Sequence, residues 1–157
     1  MSNTFIINSP IGDLALSFHQ NKLSRIEFTG MHQSDLARND TPNNPLLQSV
    51  TQELHSYFQN PRHAFSLSLH IDGTPFQQKV WNALRQIPVG HTLSYSELAR
   101  KLKTSARAIG NACRTNRLPL IIPCHRITGK NNLGGFGGAT TGRTLEIKKW
   151  LLQHEAL

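Results

Sequence analysis

The chain is 157 residues long, 38% apolar and 17% charged, which suits one ordinary domain or two small ones and excludes a disordered acidic chain. No run approaches 18 apolar residues, so a membrane span is excluded, and two cysteines, Cys113 and Cys124, are too few for a disulfide framework. The net charge of +8 is lopsided: residues 1–73 hold four cations and six acids, residues 74–157 thirteen cations and three acids, and a one-sided field of that kind attracts a polyanion, nucleic acid foremost.

Taken in chain order, Met1–Pro10 has no basic n-region and no long apolar h-region, so no signal peptide is expected and a reducing cytoplasm suits the free thiols. Thr4–Asn8, Asp13–His19 and Leu23–Phe28 place Phe, Ile and Leu at roughly every second position, with Ser9-Pro10-Ile11-Gly12 and Gln20-Asn21-Lys22 as turns; a small antiparallel sheet is predicted. Met31–Asn44 is polar and reads as loop. Pro45–Phe58 spaces Leu46, Leu47, Val50, Leu54, Tyr57 and Phe58 as a helix does, and Phe65–Ile71 alternates as a half-buried strand. Charge balance and periodicity both change at Asp72-Gly73, which divides the chain into a domain at 1–73 and another at 74–157.

The second half reads as short helices. Thr74 suits an N-cap with Pro75 at the first helical position, and Phe76, Val80, Trp81 and Leu84 form a buried stripe that ends before Pro88 and Gly90. Ser94-Tyr95-Ser96-Glu97 is a capping box. Ser96–Lys103 and Ser105–Thr115 are then two helices joined by a tight turn in a stretch, Arg100 to Lys130, with eight cations and no acid, which suggests a helix-turn-helix. Ala106, Ala108, Gly110 and Ala112 on its second helix are small enough for close approach to a groove, and equally suit tight helix packing. The fold class expected is α+β: a small antiparallel-sheet domain followed by a mostly helical one.

The chemistry concentrates in Ile121-Ile122-Pro123-Cys124-His125-Arg126-Ile127, an apolar strand that delivers a Cys at a proline bend with a His directly after it. A nucleophilic thiol must ionise, and His125 with the cations Arg126 and Lys130 would lower its pKa from about 8.5. The alternative is a structural Cys beside an unrelated His. Cys113 precedes Cys124 by eleven residues, whereas zinc sites bring two cysteines within two to four, so Cys113 reads as packing and no metal or cofactor is expected. His19, His32, His55, His63, His70 and His91 show no ligand spacing. Trp81 and Trp150 lie on apolar stripes. The glycines of Leu133–Gly138 would let backbone approach a ligand, and no Gly-Lys-Ser/Thr follows them to make a phosphate cradle.

From Thr74 onward the chain resembles the O6-alkylguanine-DNA alkyltransferase family. The resemblance is carried by Gly73-Thr74-Pro75-Phe76-Gln77-Gln78 with Val80-Trp81, Ile87-Pro88-Val89-Gly90 through Ser94-Tyr95, Arg107-Ala108-Ile109-Gly110, Asn116 to Pro119, Pro123-Cys124-His125-Arg126, and Lys148 to Glu155. It implies that Cys124 is the alkyl acceptor, that His125 takes the thiol proton through a bound water, and that Glu155 orients His125. Asn116 would brace the turn holding these groups, and Tyr95 would donate to the guanine as negative charge develops on it. Pro119 and Ile127 would line the alkyl pocket, and Phe136 and Gly137 would belong to the loop closing over the base. Phe136 stands where the family often has Tyr.

For the partner, double-stranded DNA containing O6-alkylguanine, the resemblance implies that Arg107 enters the stack to replace the extruded nucleotide. Ala106, Ala108 and Gly110 would lie close to the groove and Arg114 and Arg117 on phosphates. A monomeric, metal-free protein is expected. Two other readings stay open at this point: a non-catalytic sensor of alkylated DNA, whose relatives lack the acceptor cysteine, and a cysteine hydrolase.

Overall fold

Residues 3–29, 44–129, 134 and 143–156 are described by the computed structural model, in which the chain divides into two units, Met1–Ile71 and Asp72–Leu157. In the first unit β1 (Asn3–Ile7), β2 (Leu14–His19) and β3 (Lys22–Phe28) form the expected antiparallel sheet in the order β1-β2-β3. Phe5 faces Leu16, Leu16 faces Ile26 and Phe18 faces Leu23, with a register shift between Ser17 and Phe18. A two-residue turn, Gln20-Asn21, joins β2 to β3 with both φ values positive, the geometry whose twist matches a right-handed hairpin.

α1 (Pro45–Gln59) starts at Asn44, whose side-chain oxygen accepts from the Leu46 and Leu47 amides. Leu47, Val50, Leu54 and Tyr57 are its buried stripe. Apart from Asn44, the loop expected at Met31–Asn44 lies outside the described residues. The strand expected at Phe65–Ile71 is only a single parallel bridge, Leu23 with Leu69. The His70 amide donates to the Leu23 carbonyl and the Leu23 amide to the Ser68 carbonyl. The segment alternates in burial as far as Leu69, but its strand-type pairing is the single bridge to Leu23, so no ladder extends from it.

The second unit is mostly helical. α2 (Pro75–Arg85) has a full capping box, with Thr74 accepting from the Gln77 amide and Gln77 from the Thr74 amide. Its Trp81 is buried and donates through Nε1 to the Ala112 carbonyl at 2.8 Å. α3 (Tyr95–Leu102) is capped by the predicted Ser94–Glu97 box, and the two Ser94 hydrogen bonds hold the Glu97 carboxyl below its ordinary range. Lys103, at φ +56, turns the chain into α4 (Ala106–Arg114), whose cap is Ser105. The helix pair therefore has the predicted helix-turn-helix connection. A two-residue parallel pair, β4 (Leu93–Ser94) with β5 (Ile127–Thr128), ties the start of α3 to the chain after Cys124. α5 (Arg143–Glu155) completes the unit. The molecule is α+β as expected, and no helix among the described residues is long and apolar enough to cross a membrane.

Candidate active site

The segment between α4 and Cys124 is not the apolar strand its sequence suggests. Leu118 through Pro123 are all buried, and the backbone doubles back on itself: the Ile122 amide donates to the Leu118 carbonyl at 2.8 Å, and the Cys124 amide donates to the Ile122 carbonyl at 2.8 Å. Leu120 sits at φ +77, a strained conformation for a branched side chain. Asn116 imposes this path. Its Nδ2 donates to the Ile122 carbonyl at 2.8 Å, its Oδ1 accepts from the Leu118 amide at 2.9 Å, and its own amide donates to the Cys113 carbonyl at the end of α4. A run of Leu and Ile gives no local sign of a turn that one amide side chain holds from outside.

Cys124, His125 and Arg126 form a single 3-10 turn, all three buried. His125 is fully enclosed, and its Nε2 lies 2.7 Å from Oε2 of Glu155, in the last turn of α5. Its other nitrogen, Nδ1, is buried with no hydrogen-bond partner among the described residues. Arg126 grips the same carboxylate: Nε donates to Oε1 at 2.8 Å and Nη2 to Oε2 at 3.0 Å, while Nη1 donates to the Ile87 carbonyl at 2.6 Å. The turn after Ile87 closes on Glu155 from another side. Gly90, at φ +80, would carry a Cβ 3.3 Å from the Glu155 carbonyl oxygen.

The expected low thiol pKa is not what this site provides. Burial pushes the Cys124 thiol up to about 11, against a weaker opposing pull from its hydrogen bond with Asn116 and from the charge of Lys148. Arg126 points its guanidinium at Glu155 and Ile87 instead, and Lys130 lies outside the described residues. The sulfur rests as a thiol and has to lose its proton to a base in the site. Burial likewise lowers the proton affinity of His125, and Arg126 and Lys148 lower it further, while the hydrogen bond and charge of Glu155 raise it.

The cation whose charge opposes the rise at the sulfur is Lys148, which opens the Lys148 to Glu155 motif but was given no role there. It is fully buried in α5, donates to the Ile127 carbonyl at 2.6 Å, and has its pKa brought down to about 8 by burial against the opposing influence of Cys124 and Cys113. Its signal in the sequence is a helical one: Lys148, Leu151 and Glu155 share one face of α5 at spacings of three and four, a face on which a lysine has to be buried. Cys113, expected to pack, is half-buried on α4, and burial above all pushes its thiol up to about 12.

Around this centre the other predicted residues sort by depth. Pro119 and Ile127 are buried, Ile127 as the β5 partner of Leu93. Tyr95 opens α3 half-buried, and Gly110 of α4 and Gly134 both approach its ring. A Cβ on Gly134 would fall 3.0 Å from Tyr95 Cε2 and 3.1 Å from the Gly129 nitrogen, and Gly134 sits at φ +73. On α4, Ala106, Ala108 and Gly110 are half-buried, while Arg107, Arg114 and the following Arg117 are exposed. Phe136 and Gly137 lie outside the described residues. No group of three or more metal-ligating side chains occurs among the described residues. A separate cavity of about 370 Å³, walled by Ile87, Leu93, Leu98 and Lys101 among others, contains none of the predicted site residues.

Comparison with known proteins agrees over both units. Residues 4–71 match the 6-O-methylguanine DNA methyltransferase ribonuclease-like domain and residues 75–157 its DNA binding domain. The constitutive methylated-DNA–protein-cysteine methyltransferase of Bacillus subtilis is 36% identical over 156 residues, 95% of this chain and 92% of that protein. The crystal structure of Mycobacterium tuberculosis O6-methylguanine methyltransferase is 34% identical, with a TM-score of 0.80 over 99% of this chain and 93% of that one. The same organism's protein in complex with DNA gives a TM-score of 0.78 at 33% identity over 98% and 92% of the two chains. The arrangement of Cys124, His125 and Glu155 thus lies in a chain that belongs to the methylated-DNA–protein-cysteine methyltransferase family.

Proposed function

We propose that this protein repairs duplex DNA by moving the alkyl group of O6-alkylguanine irreversibly onto Cys124. One observation carries the assignment: a buried cysteine is followed by an imidazole tied to Glu155 at 2.7 Å, whose second nitrogen is unengaged among the described residues. His125 Nδ1 takes the thiol proton through a bound water, and Glu155 stabilises the resulting imidazolium. The thiolate, favoured by the charge of Lys148, attacks the alkyl carbon in line. The carbon–oxygen bond breaks, its electron pair leaves with guanine, and the Tyr95 hydroxyl meets the charge that develops there. The product is a thioether, which no group in the site can reverse, so each molecule acts once.

An O6-alkyl carbon inside the base stack is out of line for a buried sulfur. The nucleotide must be extruded, at a cost of a few kcal/mol that a poorly paired lesion reduces. Arg107, exposed in the first turn of α4, fills the gap, and the small side chains beside it let the helix approach closely. Arg114 and Arg117 contact phosphates. On this reading the protein works as a cytoplasmic monomer without a metal.

The test uses duplex DNA carrying radiolabelled O6-methylguanine. Label is expected on the protein once per chain, at Cys124 by peptide mapping, and none on Cys124→Ala. Label transfer persisting in that variant would remove the role assigned to Cys124.

A further inference from the structure

All three nitrogens of the Arg126 guanidinium are used inward, two on the Glu155 carboxylate and one on the Ile87 carbonyl. Glu155 Oε2 is thereby shared between Arg126 and His125 Nε2. We propose that Arg126 is a positioning residue for alkyl transfer: it keeps Glu155 ionised and shares its charge, so that His125 rests neutral with its proton on Nε2 and a lone pair on Nδ1. The inference rests on the assignment of Cys124 as acceptor and His125 as its base.

A carboxylate and an imidazole buried together titrate as one unit. Left to themselves they readily hold an additional proton, in one of two forms. In the first, an imidazolium faces a carboxylate. In the second, a carboxylic acid donates to Nε2 and the ring carries its own hydrogen on Nδ1. In both, Nδ1 bears a hydrogen and cannot accept one from the thiol. A guanidinium bonded to both carboxylate oxygens opposes both forms, because the carboxylate is already satisfied and an imidazolium would sit beside a fixed cation. The bond to Ile87 fixes the plane of the fork, so the cation cannot swing away.

The charged and titratable groups around His125 come from three elements. Cys124 and Arg126 share its turn, Glu155 and Lys148 act on it from α5, and Cys113 of α4 acts on Lys148. Of these only Glu155 favours the protonated ring, and Arg126 and Lys148 oppose it.

The experiment follows single-turnover transfer from a duplex carrying O6-methylguanine, at saturating DNA, by intact mass from about pH 5.5 to pH 9. In Arg126→Gln the acid limb is expected to rise by about one pH unit, giving a deficit of about tenfold at about pH 6 that shrinks toward about pH 9. Arg126→Lys keeps the charge but not the fork, so its limb stays in place and its rate falls by the same factor at every pH. A folded Arg126→Gln protein with the wild-type limb overturns the inference. Should that variant not fold, nitrogen chemical shifts of His125 in the wild type decide, with the neutral Nε2–H tautomer expected near neutral pH and a hydrogen on Nδ1 overturning it. Transfer surviving in Cys124→Ala would strike the acceptor assignment instead, and the histidine shifts would still report on Arg126 separately.

Discussion

Glu155 holds two neighbours at once, so shortening or neutralising it disturbs both. Glu155→Gln removes the charge that Arg126 and His125 share. Breaking a buried ion pair by one partner costs about 3–5 kcal/mol, and losing the oriented base lowers transfer by about 10²–10⁴-fold. Urea unfolding and single-turnover transfer measure the two losses. Lys148 gives a pH signature. Its folded pKa of about 8 lies below the ordinary 10.5, so between those values the unfolded chain binds a proton that the folded chain does not. Stability contributed by this group therefore rises with pH across that window and is constant below it. Relative to Lys148→Met, the wild type is expected to gain stability from about pH 8 to 10.5 in urea melts. In the same variant transfer at neutral pH slows by roughly tenfold, the effect of a one-unit rise in thiol pKa.

Among the elements, the turn between α4 and Cys124 is the most exposed to single changes. Asn116→Ala leaves the buried Leu118 amide unpaired, at a cost of about 1–3 kcal/mol, and takes from the Ile122 carbonyl one of its two donors, the other being the Cys124 amide. Thermal melts are expected to show the loss, and transfer is expected to slow because the sulfur is no longer held. Gly134→Ala strikes the pocket instead. The new methyl meets the Tyr95 ring and the Gly129 amide in a conformation only glycine adopts freely, so reaction is expected to slow with little change in the melting of the helices. How far the elements were legible follows from where their causes lie. The helices of the second unit were readable because caps and stripes are local: Thr74 with Gln77 and Ser94 with Glu97 announce their own starts. The chain from Leu118 to Ile122 was not readable from its own residues, because its turn is set by a side chain outside the apolar run, Asn116, whose bracing role came only from the family resemblance. The roles of Arg126 and Lys148 were equally hidden. Their partners are Glu155, Ile87 and Ile127, and a cation beside a cysteine in sequence says nothing about where its charge is directed in space.

For the molecule as a whole, every described site residue belongs to Asp72–Leu157, the unit with thirteen cations and four acids once Asp72 is counted. Association with DNA is therefore expected to weaken steeply with salt, through release of counterions from the phosphates. Transfer from duplex DNA at limiting concentration should fall accordingly, while reaction with a free O6-alkylguanine base barely responds. Arg107→Ala separates the same two substrates, slowing the duplex reaction more than that of the free base; equal losses would remove Arg107 from the role of wedge. The Asn116 bridge has a further effect at this scale. It welds the end of α4 to the loop that carries the sulfur, so the helix and the sulfur move as one casting. With α4 docked in a groove as proposed, the reach from groove to sulfur would be a preset gauge, and only a nucleotide swung outward by that full length would come within range.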